Sequence, residues 1–114
     1  MRLKRYLISF DDGSMIIPQE DLPAVSEAAH AVAREAKEAG VWIFGGGVHR
    51  QRASIVTDDG AVTDGPFPES KAVIGGFSII EVPSHAEALR WAARIAAACR
   101  CKQEVREIMY DPES

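Results

Sequence analysis

No apolar run in this 114-residue chain approaches the roughly 20 residues that span a bilayer as a helix, so no membrane segment is expected. Positive charge is short: 13 Lys and Arg stand against 17 Asp and Glu, a net charge of -4, which argues against a nucleic-acid-binding face. Cysteine is limited to Cys99 and Cys101. A bridge between residues this close would close a tiny ring of poor geometry, and two thiols are too few for a structural zinc site unless a histidine or a second chain contributes. Reduced, buried or half-buried cysteines at a helix end are expected. The basic start, residues 1–5, leads into a strand-like run rather than a signal-peptide apolar region, so the chain is expected to be cytoplasmic. The three histidines lack metal-ligand spacing. No helix follows Gly45-Gly46-Gly47, as a dinucleotide fingerprint would require. There is no P-loop, and no serine stands in a nucleophile elbow. No metal and no cofactor are therefore expected.

What is present suits one domain covering residues 1–114. Residues 3–10 alternate, with Tyr6, Ile8 and Phe10 on one side and Arg5, Leu7 and Ser9 on the other, which predicts a strand. A turn at 11–14 and an irregular connection at 15–20 follow. Asp21-Leu22-Pro23 reads as a helix start. Leu22, Val25, Ala29, Val32, Ala33 and Ala36 then recur at helical spacing up to a stop at Gly40. Residues 41–48 predict a second strand, in which the glycine run marks a bulge or a close approach. Residues 51–58 predict a third, returning through the hairpin signal Asp59-Gly60 to Thr63. A structured loop of turn-formers, charge and glycine, residues 63–77, feeds a long apolar strand at 73–82. Ser84 and Glu87 have the spacing of a capping box. They open a helix whose face is Ala88, Leu89, Ala92, Ile95, Ala96 and Cys99. Residues 103–110 predict an edge-like last strand.

This order is a βαββαβ unit with a hairpin insertion: an α+β domain with an antiparallel sheet and both helices on one face. The other face, carrying Leu7, glycines and part of the fourth long strand, is half apolar. A second copy of the chain is the expected cover, giving a homodimer with a pocket between the sheets.

The loop Asp64-Gly65-Pro66-Phe67, followed at fixed spacing by Glu69, Lys71, Gly75 and Gly76, resembles the DGPF motif of the YCII-related family. A four-residue match has a chance probability on the order of one in a thousand in a chain of this length, and the further matches sharpen it. The resemblance covers essentially the whole chain. It implies a ferredoxin-like fold that pairs into a dimeric α/β-barrel. Relatives fused to sigma-factor domains suggest a link to transcription, and other members are proposed enzymes that use a histidine–aspartate pair. Ala72 stands where the family commonly has Glu, so any role of that carboxylate is missing.

The candidate site residues follow from chemistry and position. Asp64 either accepts hydrogen bonds from the backbone of its own turn or faces the intersheet pocket as a general base. Lys71 either pairs with Glu69 or contacts a substrate anion. His49, Arg50 and Arg52 form a cationic cluster beside Gly46 and Gly47, either an exposed strand end or an anion-binding corner in which His49 carries a proton. His30 lies off the apolar stripe of the first helix and is the nearest counterpart to the family histidine. His85 is expected to face solvent. The resulting expectation is a cytoplasmic, dimeric, cofactor-free pocket protein. It would bind a small anionic or aromatic metabolite, with Asp64, His49 and His30 as candidate acid–base groups. The alternative is a non-catalytic regulatory or protein-interaction module, linked to transcription, that contacts neither nucleic acid nor membrane directly.

Overall fold

A computed structural model describes residues 2–49, 53–67 and 73–114. The chain runs through β1 (Lys4–Asp11), α1 (Leu22–Glu38), β2 (Trp42–Gly47), β3 (Ser54–Val56), β4 (Val62–Asp64), β5 (Ile74–Val82), α2 (His85–Cys99) and β6 (Glu104–Glu107). Two short 3-10 turns lie between β1 and α1. Four strands form one sheet in the order β2-β5-β1-β6, with every neighbouring pair antiparallel. β3 and β4 form a separate two-stranded arm. The main sheet is open, with β2 and β6 as its two edges, and does not close into a barrel.

Register decides which side chains meet the helices. Tyr6 lies opposite Ile80 and Ile8 opposite Ser78, while β6 brings Val105 opposite Ile8. In an antiparallel pair, facing residues share a side of the sheet, so this set forms the covered face. Tyr6, Ile8, Ile80 and Val82 are fully buried there against Ala88 and Ala92 of α2. The intervening positions, Arg5 opposite Glu81, Leu7 opposite Ile79 and Ser9 opposite Phe77, fall on the other face. Among the described residues no helix covers that side.

Local chemistry sets the element ends. The Ser84 hydroxyl accepts from the Glu87 backbone N–H at 3.2 Å, one half of the expected capping box. The Glu87 carboxylate pairs with Arg90 along the helix instead of returning to the cap. Arg100 ends α2 in the left-handed region, φ 57°. Its guanidinium reaches Asp21 at 2.9 Å, and Arg94 of α2 pairs with Glu35 of α1. These pairs are solvent-exposed and worth only about 0–1 kcal/mol each. The helices are held chiefly by their apolar stripes.

The glycines of the sheet are required by aromatic neighbours. A Cβ on Gly45 would lie 2.8 Å from the Trp42 ring and 2.9 Å from the Phe77 carbonyl oxygen, and one on Gly76 would lie 2.7 Å from the Phe10 ring. The β2–β5 register shifts between Trp42 and Phe44, a bulge that lets Trp42 fold back over Gly45.

The radius of gyration is 15.7 Å and the principal extents are 44 × 42 × 20 Å. A compact chain of this length would have a radius near ~13 Å. The short dimension matches two layers, a sheet and a helix of about 10 Å each. Among the described residues there is no third layer, and the β3–β4 arm forms no ladder with the main sheet.

Substituting Gly45→Ala places a methyl group against a ring and a backbone oxygen at once. Urea unfolding should show a loss of about 1–3 kcal/mol, the range for overpacking; an unchanged midpoint would mean that Trp42 does not pack there.

Candidate functional site

The open face of the sheet is apolar at its centre. Leu7, Phe77 and Ile79 lie side by side there by register, and Phe44 of β2 adds a ring whose centroid is 6.0 Å from that of Phe77. Phe44 remains 59% exposed. Polar groups border this patch. Arg5 donates to Glu81 at 2.9 Å, and Lys4 stands 3.9 Å from Glu107. A groove of about 460 Å³ at this end is lined by Ile43, Ile79, these charged pairs and the C-terminal segment, where the Arg2 guanidinium lies 4.1 Å from the centre of the Tyr110 ring.

Asp64 is the last residue of β4 and is exposed. Gly65 N–H donates to the Ala53 carbonyl at 3.0 Å, closing the base of the arm, and the Gly65–Pro66 peptide is cis. The Asp64 carboxylate accepts no hydrogen bond and forms no ion pair among the described residues. Register places Asp64 opposite Ser54 and Val62 opposite Val56. By strand alternation these four residues share one face of the arm. On that face Val56 and Val62 are 65% and 64% exposed, and Phe67 just beyond is 61% exposed. The carboxylate thus belongs to an apolar surface that its own chain leaves bare.

The remaining candidates separate. His49 follows β2 and is exposed, next to Val48, whose N–H donates to the Gly75 carbonyl at 2.9 Å. His30 of α1, Gly46 and Gly47 line a cavity of about 280 Å³ on the helix side of the sheet, and Asp64 and His49 do not line it. Arg50, Arg52 and Lys71, with Glu69 and Ala72, lie outside the described residues. His85 is exposed, with its ring centroid 6.0 Å from that of Tyr6. Residues not singled out from the sequence also belong to these surfaces: Phe44 and Phe77 on the open face, and Trp42 and Ser78 at the cavity. Phe77 could have been found by parity, since it alternates with Ser78 and Ile80 along one strand. Phe44 could not, because the bulge after Trp42 resets the alternation.

Cys99 and Cys101 are free and buried. Burial, then the neighbouring Cys101, raises the pKa of Cys99. Burial also raises that of Cys101, although hydrogen bonds from Ser14 and Gln103 oppose it. The nucleophilic thiolate is therefore suppressed at neutral pH. The Tyr6 hydroxyl, which donates to Glu107 at 3.3 Å, is likewise held above its usual pKa by burial and then by that carboxylate. Among the described residues no three His, Cys, Asp or Glu side chains gather as a metal site, and no helix is long and apolar enough to cross a membrane.

Two outcomes follow. Asp64→Asn should unfold within about 0.5 kcal/mol of the parent in urea, as a surface change does; a loss of about 1–3 kcal/mol would instead mark a buried acceptor. Raised thiol pKa values mean less thiolate than in a free cysteine at every pH below them. Iodoacetamide should therefore label the native protein slowly at about pH 7.5 and faster above roughly pH 9, with the ordinary rate restored in urea. Rapid labelling of the native protein at neutral pH would contradict this.

Comparison with known proteins adds one finding to this geometry. Among curated proteins no significant match is found. The family model of the YCII-related domain, in contrast, matches residues 5–110, from the first strand to beyond the last and through the Asp64–Phe67 turn. The chain belongs to the YCII-related family.

Proposed function

We propose that this protein is a homodimeric small-molecule-binding domain in which a second copy covers the open sheet face. The observation that carries the reading is the apolar patch of half-buried Leu7, Phe77 and Ile79 with exposed Phe44, on a sheet that the helices cover on only one side. The strand order β2-β5-β1-β6, antiparallel throughout, supports the ferredoxin-like description. Two such sheets brought face to face would form a dimeric α/β-barrel.

Magnitudes favour joint use of the sheet and the arm. A four-stranded sheet with strands of this length presents a face on the order of 400 Å². A standard interface buries roughly 800 Å² per partner. The arm, with Val56, Val62 and Phe67 exposed, supplies apolar surface toward the difference. It also carries Asp64 on the same face as the valine pair, so docking of that face would bring the carboxylate to the intersheet space. A carboxylate with no partner among the described residues suits a general base or an acceptor for a ligand donor there. The ligand class is a small anionic or aromatic metabolite, with cofactor-free acid–base chemistry as the catalytic form of the reading. A non-catalytic regulatory module would share the dimer and lack turnover.

Phe44→Glu places a charge at the centre of the patch without touching the buried core. Sedimentation should show a dimer for the parent protein at about 10 µM and a folded monomer for the variant, since a buried unpaired charge costs several kcal/mol. A parent protein that sediments as a monomer at that concentration would overturn the reading.

A further inference from the structure

The helix-facing side of the sheet is filled unevenly. The buried cluster of Tyr6, Ile8, Ile80, Val82, Ala88 and Ala92 occupies one part of it. Toward edge strand β2 the sheet offers Gly45 opposite Ser78, and α1 contributes Ala29 and Ala33 to the facing wall. Glycine and serine beneath alanine leave space that larger side chains would take up in a close-packed interior. The cavity of about 280 Å³ lies in this space, with Trp42, Ile95 and Cys99 completing its wall. Its mouth is marked by the lining residues that remain exposed: His30 on α1, and Gly46 and Gly47 on β2.

We propose that this helix-side cavity is a binding site for a small neutral aromatic molecule of one or two rings bearing a hydroxyl or ring N–H. Three observations carry it. The wall contains no Asp, Glu, Lys or Arg among the described residues. An ionised ligand would therefore lose its hydration without gaining a counter-charge from a carboxylate, lysine or arginine of the described wall. Second, Phe10 and Trp42 contribute aromatic surface to the wall, which suits a flat π-system packed edge-on or offset. Third, a few polar groups stand in this apolar setting. The side chains of Ser78, Trp42 and His30 have no hydrogen-bond partner among the described residues, and Gln103 commits only its amide N–H, to the Cys101 carbonyl at 3.4 Å and the Cys101 sulfur at 3.5 Å. A mostly apolar pocket with a few orienting polar groups is the usual form of a small-molecule site, and its volume sits near the lower limit of about 300 Å³ for such sites. Water fills this space poorly, because each buried water needs about three polar partners. The Cys99 thiol, kept protonated by burial, is part of the wall and not a nucleophile. The site is complete within one chain and does not depend on the second copy.

The test uses phenol and indole as neutral probes and benzoate as the anionic control, followed by ligand-observed NMR. Both neutral probes should bind saturably to the parent protein, and benzoate about tenfold more weakly or not at all. Ala33→Leu fills the cavity; it should weaken both probes by about tenfold or more while leaving Tm unchanged or raised, as cavity filling does. His30→Trp narrows the mouth from an exposed helix position and should weaken them similarly. It decides the matter if Ala33→Leu fails to fold. Phe44→Glu, which removes the proposed dimer contact, should bind both probes as the parent does. The inference is overturned by any of four results: no saturable binding below about 5 mM, benzoate binding as tightly as phenol, undiminished binding in folded Ala33→Leu and His30→Trp, or loss of probe binding in Phe44→Glu. The last result would move the ligand to the intersheet space and leave the dimer reading standing.

Discussion

The pairing of β1 with β5 sets the two faces of the sheet, and everything else in the molecule depends on it. Along this ladder Tyr6, Ile8, Ile80 and Val82 go to the helices, while Arg5, Leu7, Phe77, Ile79 and Glu81 go to the other side. A slip of one residue would exchange the sets and bury the Arg5–Glu81 pair beneath α2. The hydrophobic difference between the faces is therefore what holds the register. Both helices then pack on the Tyr6 side, because each βα crossover returns the chain over the same face. One sheet and two helices leave a molecule about two layers thick, with one apolar surface uncovered.

Glycine links this packing to the candidate surfaces. Gly45 accepts the Trp42 ring, and Gly75 and Gly76 accept the Phe10 ring, so the aromatic side chains lie flat against backbone. The same absence of side chains thins the covered layer toward β2 and leaves the cavity beneath His30. The close approach expected from three consecutive glycines occurs at Gly45, where the neighbour is a ring of the chain itself. A Cβ at Gly46 would meet nothing within 4 Å, so that position borders open space.

Much of the fold was readable because its signals are local. Asp59-Gly60 makes the hairpin that joins β3 to β4, with Gly60 at φ 89°. Ser84 caps α2, and alternation in residues 3–10 separates Tyr6 from Leu7 correctly. Element ends were read less well. The last strand was expected to reach Tyr110, but the ladder ends at Glu107, opposite Tyr6, because the length of a strand depends on its partner. The third strand was expected over residues 51–58; residues 51 and 52 lie outside the described residues, and of the rest Ser54–Val56 is the stretch that finds partners in β4. The candidate site was less readable still. His30, Gly46 and Gly47 share one cavity, while Asp64 sits on an arm that lies apart from it.

By itself the sequence determined the element order, the covered face and the family. Each of these rests on periodicity, turn chemistry or a contiguous motif, all of which act over a few residues. Only the tertiary structure decided which candidates meet. It placed β2 at a sheet edge beside α1, so a histidine and two glycines came together, and it carried Asp64 away on a separate ladder. The physical reason is that strand order and bulges are settled by the burial of whole faces. No short stretch of the chain encodes that burial alone.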